Sequence, residues 1–352
     1  MALLWMDGFD TYGAHGQNAT DVIASSGYVN ANGLTADNNT RTGRGLCVKM
    51  DNGASGPLGT RCRRAFETRD EIVVGWAINC PRNALTCIGN IMYDNRMGTI
   101  RSQLSLWLNA QGGITVLRGN DQIFVAASGP NIMFPKVWHY VEVKYKPGSH
   151  VIVRLDGATV LTTAGGKDDQ SPNSVNMFQF QNLSGEFDVN DWDKYFDDLY
   201  ICDTTGTRFN DFCGDVVIHA LMPLQDAGPN QMASYGAGMS NYTAVDDIPP
   251  DNDLSYIYSN TAGHVDMFDL DTLPANIIDV LAVSVHARAR KDAAGTSMVK
   301  VKCRYLEDTA DSPPMTLTTV YTLKTHIYET APDGGGWNRA KANTIHIGVE
   351  VA

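Results

Sequence analysis

Residues 138–162 read WHYVEVKYKPGSHVIVRLDGATVLT, and this stretch decides the fold. Trp138, Tyr140, Glu142 and Lys144 alternate with His139, Val141, Val143 and Tyr145, the two-residue period of a strand with two different faces. Pro147-Gly148 supplies a turn, after which Val151, Val153 and Leu155 alternate with Ile152 and Arg154. Asp156-Gly157 is a tight-turn pair that accepts positive φ at both central positions. Three consecutive antiparallel strands are therefore predicted.

The same grammar extends in both directions. EIVVGWAIN (71–79) reads as a strand, and QLSLWLNAQGGITVLRGN (103–120) as a hairpin turning at Gln111-Gly112-Gly113. YFDDLYICDTTG (195–206) closes the series, with Phe196, Leu199 and Ile201 as its apolar content. Nothing in this first part carries the 3.6-residue period of a solid helix. From residue 210 the texture changes: a strand-like GDVVIHALMPL, a long loop rich in Gly, Asn, Ser and Pro, then further strands. In residues 299–305, Val299, Val301, Cys303 and Tyr305 alternate with Lys300, Lys302 and Arg304, inward against outward. One short helix is predicted, over WNRAKAN (337–343) with Asn338 as its N-cap. The fold class is all-β: a sandwich over 1–209 and a second, smaller β-sandwich-like domain over 210–352.

Composition agrees. The chain has 352 residues, enough for two cores, with 19% charged residues, 43% hydrophobic residues and 33 glycines. Its formal charge of −12 argues against nucleic acid or an anionic membrane as partner, since a phosphate surface calls for concentrated basic charge. Two short basic runs, Arg61-Cys62-Arg63-Arg64 and Arg288-Ala289-Arg290-Lys291, read as solvated faces or as partners of local acids. MALLWMDGFD has no basic leader and meets Asp7 early, so no signal peptide is expected, and no apolar run is long enough for membrane insertion. Synthesis in a cytosol follows as the expectation. The cysteines at 47, 62, 80, 87, 202, 213 and 303 form no CxxC pair. They read as buried small hydrophobes, with disulfides formed after release from the cell as the alternative.

The order of the pieces MDGFDTYG, RTGRGLCVKM, EIVVGWAI, LSLWLNAQGGITVL, VWHYVEVKYKPGSHVIVRLDG and FDDLYICDTTG resembles the concanavalin A-like, laminin-G-like jelly-roll family. FNDFCGDVVIHALMPLQDAG, NYTAVDDIPPDNDLSYIYS, LAVSVHARARKDAAG and WNRAKANTIHIGVEVA resemble the carboxy-terminal half of structural proteins of tailed bacteriophages. That resemblance implies a virion component, a capsid decoration or a head or tail fibre, assembled in the host cytoplasm. Its implied partners are other virion proteins, further copies of itself and a host surface glycan.

The jelly-roll superfamily also holds glucanases with an E-x-D-x-E row, which GEFDVND (185–191) approaches. Glu186 and Asp188 are in step, but the third position is Asn190, which is neither acid nor base; Asp191 would serve only through a bulge. No catalytic residue is therefore assigned, and the sequence predicts a protein that is not an enzyme. A carbohydrate-binding adhesin and a polysaccharide depolymerase stand as the second and third readings. Candidate glycan-binding residues are Trp192, Tyr195, Asp188 and Asp191, aromatics beside acidic side chains in one loop. No cofactor is expected beyond a possible Ca2+ on Asp7, Asp197 and Asp198, hard oxygens at two ends of a jelly roll, without EF-hand spacing.

Overall fold

The structure is a computed structural model and describes residues 2–50, 60–182, 193–236 and 239–352. The chain divides into two compact units, Met1–Ile218 and His219–Ala352. Both are built almost wholly of antiparallel strands.

In chain order the first unit contains β1 (Leu3–Asp7), the short helix α1 (Thr20–Ser25), β2 (Tyr28–Asn32), β3 (Leu34–Asp37) and β4 (Cys47–Met50). Then come β5 (Thr60–Arg69), β6 (Ile72–Asn79), β7 (Thr86–Asp94), β8 (Ile100–Leu108), β9 (Ile114–Arg118) and β10 (Ile123–Ala127). The strands read in the deciding stretch are β11 (Trp138–Lys146), β12 (His150–Leu155) and β13 (Ala158–Ala164), followed by β14 (Val175–Asn182) and β15 (Lys194–Asp203).

These strands form two sheets. The first runs β13-β12-β11-β6-β15-β4-β3, with β1 also on β15; the second runs β10-β9-β8-β7-β14-β5-β2. Inner faces meet in an aromatic cluster: Trp76 of β6 lies 5.0 Å from Phe178 of β14, and Phe180 lies 4.5 Å from Phe196 of β15. Those contacts fix the orientation of the neighbouring residues on the three strands, because side chains alternate. Asp156 and Gly157 both adopt positive φ, at 50° and 80°, the two-residue hairpin that the sequence predicts.

The second unit contains β16 (Pro223–Asn230), β17 (Ala233–Tyr235), β18 (Tyr256–Tyr258), β19 (Val265–Leu270), β20 (Val283–Ala289) and β21 (Met298–Tyr305). It ends with β22 (Asp308–Asp311), β23 (Met315–Thr316), β24 (Thr322–Tyr328), helix α2 (Arg339–Ala342) and β25 (His346–Val351). Its main sheet runs β16-β19-β25-β21-β22, with β23 on β21, and two-stranded ribbons β17-β18 and β20-β24 accompany it. Val285, Val301, Cys303, Tyr328, Trp337 and Ile345 make its core. Lys300 and Lys302 point the other way and share the Glu350 carboxylate at 2.8 and 2.6 Å. Asn338 caps α2 by accepting from the Lys341 N–H at 2.9 Å.

Candidate functional site

Phe178 and Phe180 point inward, so Gln179 and Gln181 point outward from the second sheet. Register carries this face across the sheet. Gln179 pairs with Arg63 of β5 on one side and Asn90 of β7 on the other. Asn90 pairs with Ser105 of β8, Ser105 with Leu117 of β9, and Leu117 with Phe124 of the edge strand β10. Arg61 stands two residues from Arg63 on the same face and pairs with Gln181. The result is a transverse row of guanidinium, amide and hydroxyl groups ending at an exposed phenyl ring, 64% accessible.

The polar groups are linked. Arg63 Nε donates to Gln179 Oε1, and Gln179 Nε2 donates to Gln181 Oε1 at 2.7 Å. Ser102 Oγ donates to Asn90 Oδ1 at 2.8 Å, and Trp107 Nε1 to Ser105 Oγ at 3.0 Å. Gln179, Asn90 and Ser105 are only 2%, 8% and 4% accessible. Arg61 and Arg63 are half-buried. Among the described residues neither makes an ion pair, and Arg61 Nε is buried with no hydrogen-bond partner. Burial, and then the charge of Arg61 beside it, hold the Arg63 guanidinium below its usual value, with Asp94 opposing. Two neighbouring cations that make no ion pair among the described residues are open to an anion.

Of the two readings of this run, solvated face or local acid partners, Arg61 and Arg63 fit the first among the described residues, being half-exposed and without an ion pair. The second reading holds in the other basic run, where Arg290 pairs with Asp253 at 2.8 Å. Arg64 turns inward, its guanidinium 3.4 Å above the Trp5 ring while it donates to the Gly27 carbonyl at 2.7 Å.

The outer face of the first sheet is different. A bulge between Asp197 and Tyr200, with Asp198 at φ 51°, sets two consecutive carboxylates on that face. Chain segment 211–218 lies over them. Asp198 Oδ1 accepts from the Ile218 N–H at 2.7 Å, and Glu142 Oε1 accepts from the Gly214 N–H at 2.8 Å and the Tyr200 hydroxyl at 2.5 Å. Arg41 reaches Asp198 at 3.3 Å, the Asp215 carboxylate and the Val216 carbonyl at 2.6 Å. Burial pushes Asp198 up to about 7 against the opposing pull of Arg41 and Ile218. Burial, then Asp198, push Asp197 well above the carboxylate range. These acids are engaged by the chain's own backbone and act as a clamp.

The calcium candidate is corrected by this geometry. Asp7 faces the core, where its carboxylate accepts from Tyr12 at 2.6 Å, Tyr28 at 2.8 Å and the Phe9 N–H at 2.9 Å. Asp197 and Asp198 lie on the opposite side of the sheet, and among the described residues no His, Cys, Asp and Glu cluster could hold a metal. Of the glycan candidates, Trp192, Asp188 and Asp191 lie outside the described residues, as do Glu186 and Asn190. Tyr195 pairs with Asn79 and Lys49 on the outer face of the first sheet, away from the arginine row. The sequence signal that could have found the row is the alternation in TRCRRAFETR, where Arg61 and Arg63 flank the buried Cys62.

No family model and no curated protein matches the chain. Among solved structures it is similar to an endo-β-1,4-glucuronan lyase from the fungus Trichoderma reesei, at 12% identity and TM-score 0.39, covering 48% of this chain and 86% of that one. It is similar to alginate lyase Aly36B at 15% identity and TM-score 0.38, covering 57% and 95% of the two chains. A galectin-like protein of unknown function from Bacillus subtilis gives 12% identity and TM-score 0.35, over 57% and 96%. The expectation of a protein that is not an enzyme is withdrawn on this finding. It rested chiefly on the incomplete acidic row at 185–191, which lies outside the described residues. Likenesses at this level concern the fold and assign no activity to the chain.

Proposed function

We propose that the first unit is a carbohydrate-recognition module that takes an acidic saccharide on the outer face of its second sheet, as part of a tailed-phage particle. One observation carries the reading: Arg61 and Arg63 stand side by side and, among the described residues, neither makes an ion pair, in a chain whose net charge is −12. A uronate carboxylate or sulfate ester would occupy the guanidinium pair, and sugar hydroxyls would exchange hydrogen bonds with the half-buried Gln181, while the buried Gln179 and Asn90 hold the row in place. Phe124 offers a ring face at the apolar end of the row. The phage assignment is supported by the sequence resemblance and is tested by finding the chain in purified particles by quantitative mass spectrometry.

The site is tested by a glycan array carrying uronate, sulfated and neutral oligosaccharides, with products scored for chain cleavage as well as retention. Retention confined to acidic glycans, and weakened when Arg61 or Arg63 is replaced by Gln, is the expected outcome. Equal retention of neutral glycans, or wild-type retention by both variants, would overturn it.

A further inference from the structure

The segment that covers the first sheet brings Cys213 over the strand face that carries Cys202. Tyr200 and Cys202 share one face of β15, being two residues apart. The Cys213 N–H donates to the Tyr200 hydroxyl at 3.1 Å, and the Asp211 carbonyl lies 3.9 Å from Cys202 Sγ. Lys144 pairs with Asp211 at 3.2 Å, and the Arg154 guanidinium lies 4.7 Å above the Phe212 ring, so both sides of the turn are anchored. Cys213, and after it burial, hold the Cys202 thiol far above its usual range. Cys202 is fully buried, whereas Cys213 is half-buried and open to solvent.

From this arrangement we propose that Cys202 and Cys213 form a disulfide once the chain leaves a reducing compartment, bolting segment 211–218 to β15. The chemistry is thiol–disulfide exchange with a small disulfide such as oxidised glutathione. The Cys213 thiolate attacks the small disulfide, forming a mixed disulfide and releasing one glutathione thiol. Cys202, on losing its proton, then attacks the Cys213 sulfur; the protein disulfide forms and the second glutathione leaves as a thiol. Two protein thiols are oxidised and one glutathione disulfide is reduced. The inference is independent of the glycan reading, since none of its residues stands on the arginine row.

The test is to incubate the whole folded chain with oxidised glutathione, then denature, alkylate and count thiols by mass spectrometry. Seven thiols should fall to five, from the seven cysteines of the sequence. Trypsin cuts after Arg208, so the bond should join peptides that otherwise separate. Cys202→Ser should instead keep one glutathione on Cys213, which reports the exposed thiol even if the variant is less stable. The oxidised chain should also melt at a higher temperature than the reduced one, a rise absent from Cys213→Ser. Retention of all seven thiols, a lasting glutathione adduct on wild-type Cys213, or linkage of Cys213 to another cysteine would each overturn the proposal.

Discussion

Asp198 shows how one residue can be both a fold device and a titrating group. Its positive φ lets the bulge place its carboxylate beside that of Asp197, and Asn is the substitution that tolerates the same backbone. Because burial raises its folded value to about 7, the folded chain keeps a proton there that the unfolded chain, with an ordinary aspartate value of 3.8, has lost. The folded state therefore binds more protons between about pH 4 and pH 7, and this group's contribution to stability falls as pH rises through that window. Relative to Asp198→Asn, the wild type should lose on the order of a few kcal/mol from pH 4.5 to pH 8, read from denaturant melts at each pH. A flat difference would show that the carboxylate is ionised throughout. Gly75 is equally specific: a Cβ there would overlap the Tyr200 ring that donates to Glu142. Gly75→Ala should cost about 1–3 kcal/mol in the same melts, the range of an overpacked core.

At the scale of elements, strands with local partners were legible and those with distant partners were not. The β11-β12-β13 meander declares itself through alternation and Asp156-Gly157, and Gly157→Ala should cost about 1 kcal/mol because its φ of 80° strains any side chain. Helix α2 was legible from its cap. The arginine row was invisible because Arg63 meets a glutamine 116 residues away, a pairing that no local pattern encodes. Without that register, a basic run reads as an ordinary solvated face. The doubled carboxylates of β15 were hidden for a related reason: strict alternation would send Asp197 and Asp198 to opposite faces, and only the bulge unites them. The inner faces of the sandwich depend on β14 meeting β6 and β15. Phe180→Ala should therefore cost about 3–5 kcal/mol in thermal or denaturant unfolding, against under 1 for Gln181→Ala on the outer face.

For the whole molecule, composition placed a domain boundary at residue 209, whereas the first compact unit continues to Ile218. The difference is the clamp: residues 211–218 change texture in sequence yet are held to the first sheet by Glu142, Asp198 and Arg41. Net charge also pointed away from the site. A total of −12 says nothing of two adjacent guanidiniums that make no ion pair among the described residues. Binding by such a pair should weaken with added salt, since it is half-exposed to solvent and open to screening. The most direct measurement is calorimetric titration of an acidic oligosaccharide, chosen from the array, into the wild type and the Arg61→Gln/Arg63→Gln double variant. Loss of at least about tenfold in affinity in the double variant, with an unchanged melting temperature, is what the arginine row predicts. Equal affinity in both proteins would contradict it and move any glycan site away from this face.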